Sequence, residues 1–410
     1  MERTSIRSVT ARKGPSAQST TRDAGPRIEE TLSYQLSKLA EKKGGNLVTP
    51  SFITSVQELS DRLPLQKLEK KEIEEVAQVY PFRIPLFYAG LMDRKNPLCP
   101  IRLQAVPSVQ ELKTGGGPDP LSEAAIAVTP SFLKRYPRRG VFLVSSECAM
   151  YCRFCNRKRV VGKGRAWEES TEETLRYLEK DEEISEVILS GGDPFMLAPT
   201  RLACILERLR SIKRIDVLRI STRFPVVFPE GIHQEHFKAI RGHTPIWLII
   251  HINHPKEVTR EFAEAVGRFR KAGAILISQT VLLRDINDCS HILSGLFQRL
   301  VGLGVKPYYL FQFDDVQGAQ HFKVRLSKGR ALMNELRRNT SGLCIPQYAL
   351  DITGGLGKVP LEYSYGGIRK GMNVILRSPT GKKGIYKDNG LKSRCTNCGF
   401  CLDKGKSGKR

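Results

Sequence analysis

From residue 140 onward the chain alternates short β-rich runs with amphipathic segments of helix length, and this alternation restricts its fold more than any other feature. The runs fall at residues 141–145, 186–189, 217–220, 247–252, 274–283 and 306–313. Strand-like runs separated by helix-length connections predict βαβ units, because parallel neighbours need a long crossover whereas antiparallel ones need only a tight turn. Six such strands predict an α/β protein built on a partial (β/α)6 barrel rather than a closed eight-stranded one. Chemistry is then expected at the C-terminal ends of the strands.

The flanks read differently. Residues 1–26 carry Arg3, Arg7, Arg12 and Lys13 among Ser and Thr and read as a disordered basic tail. Residues 27–135 read as a helical N-terminal region, with apolar residues at three- and four-residue spacing over 28–42, 51–62 and 66–79. The barrel is assigned to 136–345. From Tyr348 a further strand, a Gly354–Lys358 turn, a Tyr/Gly-rich hairpin and a Cys-bearing basic tail make up a C-terminal segment, 346–410. No apolar run approaches the roughly 18 residues of a membrane span, and a soluble, cytoplasmic protein is expected.

Ten cysteines without a secretory signal point to metal or redox chemistry rather than a disulfide framework. Six fall into two tight groups, Cys148/Cys152/Cys155 and Cys395/Cys398/Cys401. The first, CxxxCxxC, follows directly on the first predicted strand, so three thiolates can converge from one loop on a [4Fe-4S] cluster and leave one iron open. The amino and carboxylate groups of S-adenosylmethionine can fill that place, and electron transfer then generates an adenosyl radical. Zinc spacings usually pair CxxC elements instead. The formal net charge of +24 suits anionic ligands, and its spread along the chain argues against a nucleic-acid partner.

With these motifs in hand the chain resembles the lysine 2,3-aminomutase family, radical S-adenosylmethionine enzymes that also use pyridoxal phosphate. The resemblance spans about residues 110–401 and rests on Tyr136-Pro137, the cysteine triad with Arg157-Lys158-Arg159, Leu189-Ser190-Gly191-Gly192-Asp193, Pro225-Val226-Val227 and His251-Ile252-Asn253-His254-Pro255. It continues through Gln279-Thr280-Val281-Leu282-Leu283-Arg284, Asn287-Asp288-Cys289, Pro307-Tyr308-Tyr309, Gln317-Gly318 and Asp351 with Gly354-Gly355-Leu356-Gly357-Lys358. It implies that Lys358 carries the pyridoxal phosphate and that Arg135, Tyr136 and Arg139 hold the phosphate. It implies that Ser190, His251 and Gln279 contact S-adenosylmethionine. Arg157 is implied to pair with the substrate carboxylate, and Asp314 and Asp351 with the side-chain ammonium of lysine. The resemblance further implies that Cys289 joins three tail cysteines, Cys395, Cys398 and Cys401, at a structural zinc that links subunits; a second iron–sulfur cluster is the alternative reading of the tail.

The implied activity is 2,3-migration of the amino group of L-lysine to give β-lysine, with flavodoxin or ferredoxin as electron donor and a homo-oligomeric enzyme. An aminomutase for another basic amino acid, or one modifying elongation factor P, is the enzymatic alternative. A non-catalytic iron–sulfur/zinc nucleic-acid-binding protein is the alternative of another class, and it leaves the paired acids and the Gly-Leu-Gly-Lys turn unexplained. Three positions depart from the family pattern: Phe154 stands where a histidine is usual, Leu356 interrupts the glycines before Lys358, and Phe311 replaces a commoner tyrosine.

Overall fold

The structure is a computed structural model that describes residues 52–164, 166–361, 368–371, 373–377 and 382–387. Its centre is one ten-stranded sheet: β1 (Ala127–Thr129), β2 (Phe132–Tyr136), β3 (Arg139–Ser145), β4 (Glu186–Gly191), β5 (Val217–Thr222), β6 (Ile246–His251), β7 (Ala274–Leu282), β8 (Lys306–Gln312), β9 (Gln347–Ile352) and β10 (Gly357–Pro360), paired in sequence order. Strands β3 to β9 run parallel, and the two ends of the sheet turn antiparallel. The strand expected after Tyr348 belongs to this sheet and adds a seventh parallel strand.

A helix occupies each of the six crossovers: α1 (Thr171–Lys180), α2 (Pro199–Ser211), α3 (Gln234–Gly242), α4 (Arg260–Lys271), α5 (Ser290–Gly302) and α6 (Leu326–Asn339). Helix α4 shows why such a segment forms where it does. The Thr259 hydroxyl accepts from Phe262 N at its start, Phe262, Ala265, Val266 and Phe269 make one buried stripe, and Arg268, Arg270 and Lys271 gather at its C-terminal end. Among the described residues no helix is long and apolar enough to cross a membrane.

The strands themselves alternate. In β4 and β5, Val187, Leu189, Leu218 and Ile220 are buried, whereas Ile188, Ser190, Arg219 and Ser221 point the other way and line a cavity inside the curled sheet. One face of each strand thus builds the core and the other builds the site.

Two local readings change. The segment expected to be mostly helical contributes strands β1 and β2, which the charged Lys134 and Arg135 disguise in the sequence. Over 51–62 the helix is only Val56–Ser60, preceded by a short strand, Phe52–Ile53. A Ser55–Glu58 capping box fixes that later start: Ser55 Oγ accepts from Glu58 N at 3.2 Å, and Glu58 accepts from Ser55 N at 3.0 Å. Helix Lys67–Val79 lies where the periodicity places it. In the C-terminal segment, Ile368–Lys370, Asn373–Arg377 and Lys383–Lys387 form a small antiparallel sheet.

The two ends of the large sheet meet without a backbone ladder between them. Lys358 N donates to the Tyr136 hydroxyl at 3.0 Å, Gly354 N donates to Pro120 O at 3.3 Å, and Arg135 lies 3.7 Å from an Asp351 oxygen.

Candidate active site

The cysteine loop leaves the C-terminal end of β3, as the sequence places it, and is held from the outside by a buried charge cluster. Arg153, between the second and third cysteines, is 1% exposed; its guanidinium bonds Glu111 twice through Nε and Nη2 and also donates to Pro81 O and Tyr80 O. Arg153 N donates to Gln104 O at 3.0 Å, and Lys158 reaches both Glu111 and Gly318 O. Burial acts to raise the Glu111 carboxyl, but the Arg153 and Lys158 charges outweigh it and leave its pKa below the ordinary value. Burial pulls Lys158 down to about 8. The N-terminal region is therefore the mould in which this loop is cast.

Cys148, Cys152 and Cys155 are unpaired thiols, each pushed above its usual pKa, chiefly by burial. Buried thiols of this kind ionise readily only beside a metal, which stabilises the thiolate. Among the described residues no three His, Cys, Asp or Glu side chains converge on a point suited to a single ion. A four-iron cube does not ask for that, because each thiolate takes its own iron. A further buried donor in the same wall, Arg223 Nε, has no partner in the protein. The loop fits an iron–sulfur cluster.

Gly191 and Gly192 have a specific steric cause. A Cβ on Gly191, whose φ is 125°, would lie 2.3 Å from Ser145 O, and one on Gly192 would lie 2.1 Å from Glu147 O. The close approach they permit is to the backbone at the start of the cysteine loop. Asp193, next in line, is buried and accepts from Arg223 N at 2.7 Å, Phe195 N at 3.0 Å and Thr222 Oγ1 at 2.8 Å, which ties the end of β4 to the end of β5.

A cavity of about 380 Å³ opens beside the loop, and Arg135, Tyr136, Arg139, Cys152, Cys155, Arg157, Ser190, His251, Gln279, Asp314, Asp351 and Lys358 all line it. Ser190, His251 and Gln279 reach it from β4, β6 and β7, with His251 and Gln279 in register. His251 is pulled down to about 3, first by burial and then by the Arg223 charge, so it is a neutral ring near pH 7, with Nε2 3.2 Å from Asn253 Oδ1.

Arg157 is held by a residue that sequence reasoning did not single out. Its Nε donates to Glu123 at 2.8 Å, and Nη1 donates to Ser190 Oγ at 3.3 Å and Gly191 O at 3.1 Å. Glu123 also pairs with Arg159 at 3.0 Å. A lone Glu in a Ser-Glu-Ala-Ala stretch carries no spacing signal that would have found it.

At the far wall Lys358 Nζ donates to Asp351 Oδ2 at 2.6 Å and stands 4.0 Å from the centre of the Phe311 ring. The Phe311 departure therefore keeps an aromatic face against the lysine and drops only the phenolic hydroxyl. Leu356 is 77% exposed, so its interruption of the glycine run is spent on solvent. Asp314 accepts from Asn156 Nδ2 at 3.0 Å, and burial, then the Asp351 charge, pushes it up to about 7. The Arg139 guanidinium lies 4.0 Å from the Tyr136 ring centre, and Arg135 Nε is buried without a partner. An orphaned guanidinium donor and a cavity-facing amine suit a phosphate-bearing carbonyl cofactor.

Cys289 caps α5, partly buried, with Sγ 4.0 Å from His291 Nδ1. Cys395, Cys398 and Cys401 lie outside the described residues.

A model of the Radical SAM superfamily matches residues 142–292. The chain is 38% identical over 342 residues to a putative L-lysine 2,3-aminomutase of Aquifex aeolicus, covering 82% of this chain and 92% of that one. It is 35% identical over 358 residues to the L-lysine 2,3-aminomutase of Clostridium subterminale, covering 86% of each. It is also 36% identical over 334 residues to a glutamate 2,3-aminomutase of Clostridioides difficile, covering 80% and 79%. Matched along most of the length of such relatives, the chain belongs to the lysine 2,3-aminomutase family, isomerases that work with a [4Fe-4S] cluster, S-adenosylmethionine and pyridoxal phosphate.

Proposed function

We propose that the enzyme moves the amino group of L-lysine from C2 to C3, giving β-lysine. The observation that carries this reading is the pair of acids, Asp314 and Asp351, in the wall of one cavity with Lys358 and Arg157. Burial and, after it, the Asp351 charge hold the Asp314 carboxyl up, and a cation between the two acids relieves that repulsion. A side-chain ammonium is such a cation. A side-chain carboxylate, as on glutamate, would add a third negative charge, so the pair selects by exclusion as well as by attraction.

The residues then divide the work. Cys148, Cys152 and Cys155 would hold the cluster, and Ser190, His251 and Gln279 would contact S-adenosylmethionine. Lys358 would carry pyridoxal phosphate, with Arg135, Tyr136 and Arg139 on its phosphate. These groups supply one-electron chemistry and a π-system for nitrogen transfer. The chain's own part is alignment. Glu123 fixes the Arg157 guanidinium, Arg157 takes the substrate carboxylate, and the acids take the opposite end, so the spacing of the two anchors reads side-chain length. Neutral His251 orients without adding charge next to a sulfonium.

The same reading includes a cytoplasmic enzyme that draws electrons from flavodoxin or ferredoxin, and a structural zinc on Cys289, Cys395, Cys398 and Cys401 joining subunits. Ten cysteines with six in two groups support the metal-rich, reducing setting. The deciding experiment is an anaerobic assay of the reconstituted, reduced enzyme with S-adenosylmethionine and a panel of lysine, ornithine, arginine and glutamate. β-Lysine as the main product supports the proposal, and turnover of glutamate in preference to lysine overturns it.

A further inference from the structure

Arg223 follows β5 directly and is the residue on which the cysteine loop, two short helices, Leu86–Gly90 and Pro100–Ala105, and the segment after β6 all converge. Its side chain is 7% exposed. Nη2 donates to Glu257 at 2.7 Å, to Gln104 Oε1 at 2.7 Å and to the Tyr88 hydroxyl at 3.3 Å. Glu257 is itself fully buried and accepts from the Tyr88 hydroxyl at 2.6 Å, Asn253 N at 2.7 Å and His254 N at 2.9 Å. Gln104 Oε1 also accepts from Asn253 Nδ2 at 3.0 Å. The guanidinium plane is thereby fixed from one side.

What the other side does is unusual for a structural arginine. Nη1 donates to Cys152 Sγ at 2.7 Å, and Nε is buried with no partner in the protein. The guanidinium also stands 5.0 Å from the ring of Phe154, the loop residue that replaces a histidine. A thiol is a weak acceptor, and a thiolate bound to iron is a strong one. An always-charged fork held rigidly with one donor on a cluster ligand and another spare in the same cavity wall is poor economy for folding alone, because an unpaired buried donor is destabilising.

We propose that Arg223 sets the reduction potential of the [4Fe-4S] cluster, by hydrogen-bonding the Cys152 thiolate from Nη1. Hydrogen bonds to cluster sulfurs stabilise the more negative, reduced state and so raise the potential. One electron from a low-potential flavodoxin- or ferredoxin-type donor takes the cluster from the 2+ to the 1+ state; no proton moves at Arg223 and no bond is made or broken. Arg223 is thus a positioning residue, held by Glu257, Gln104 and Tyr88.

The proposal rests on the cluster assignment, and the test separates the two. Full-length enzyme is reconstituted anaerobically and titrated with dithionite and redox mediators, the reduced cluster being followed by electron paramagnetic resonance. Absence of a [4Fe-4S] signal from the unmodified enzyme overturns the cluster assignment itself. With the signal present, Arg223→Lys, which keeps the charge but loses the fork, is expected to lower the reduced-to-oxidised ratio at fixed potential on the order of tenfold, or 59 mV for a one-electron couple. An unchanged midpoint with full iron content overturns the role of Arg223. A measurement that keeps Arg223 in place covers the case in which Arg223→Lys fails to hold iron. Enzyme carrying guanidino-15N arginine should show a 15N coupling to the reduced cluster in pulsed spectra, retained in Arg157→Lys; no such coupling, or its loss in Arg157→Lys, overturns the proposal.

Discussion

Asp351 and Lys358 are cross-strand partners on β9 and β10, and the Lys358 ammonium donates to the Asp351 carboxylate at 2.6 Å. The acid proposed to receive the substrate ammonium is therefore already satisfied by the amine proposed to carry the cofactor. On the proposed reading, a Lys358 engaged by the cofactor would no longer neutralise Asp351, and the substrate ammonium would take its place. Asp351→Asn should lower kcat/KM for lysine by about 2–5 kcal/mol, through loss of a desolvated charge partner, with S-adenosylmethionine binding unchanged. Steady-state kinetics and isothermal titration check both halves. Lys358→Ala should abolish both rearrangement and the visible absorbance of the loaded enzyme.

Asp314 gives the protein a characteristic pH dependence. Its folded-state pKa is raised to about 7 from 3.8, so between these values the native state holds a proton that the unfolded chain has released. Stability from this group is full below about 4 and is lost as pH rises through about 7, on the order of 2–4 kcal/mol in all. Thermal melts of the cofactor-free enzyme from pH 5 to pH 8 should show the fall, and Asp314→Asn should flatten it. Lysine binding runs the other way: it needs the ionised acid, so KM for lysine should rise as pH drops below 7.

Replacing Cys148, Cys152 or Cys155 by Ala should remove cluster iron and abolish formation of 5′-deoxyadenosine from S-adenosylmethionine, read by iron analysis and chromatography. Cys289→Ser should behave differently, losing about one zinc per chain while cluster iron stays in place.

The Glu111–Arg153–Lys158 cluster should matter for folding before it matters for chemistry. Glu111→Gln leaves two buried cations without their acid and is expected to destabilise by about 3–5 kcal/mol in chemical denaturation. Because Arg153 sits inside the cysteine loop, the variant should also lose iron faster to a chelator than the unmodified enzyme.

The six crossover units were legible because each strand carries its β-rich run and each helix its apolar stripe, both local patterns. The position of the cysteine loop followed from the strand before it. The contacts that hold the site together were not legible. Glu123, Glu257 and Arg223 are single charges in short turns and at a strand end, and the side-chain ion pairs they make are distant in the chain, 34 residues for Arg157 with Glu123 and for Arg223 with Glu257. Strands β1 and β2 were hidden for a different reason: β1 is three residues long, and Phe132-Leu133-Lys134-Arg135-Tyr136 alternates too briefly to announce its pairing with β1 on one side and β3 on the other.

The sheet whose two ends meet, among the described residues, through polar contacts of Lys358 N, Gly354 N and Arg135 and not through a backbone ladder is a wall with a weak join, since breaking a few polar contacts separates what a full ladder would keep shut. Amide hydrogen exchange should be fastest, among the strands, in Gly357–Pro360 and slowest in the parallel centre around Ile246–His251, where both neighbours are paired. A ligand that spans the join by holding Lys358 on one side and Arg135 and Tyr136 on the other favours the closed form by mass action. Cofactor loading should then slow exchange at the join selectively, so that the molecule that equips the enzyme for chemistry also fastens the vessel around it.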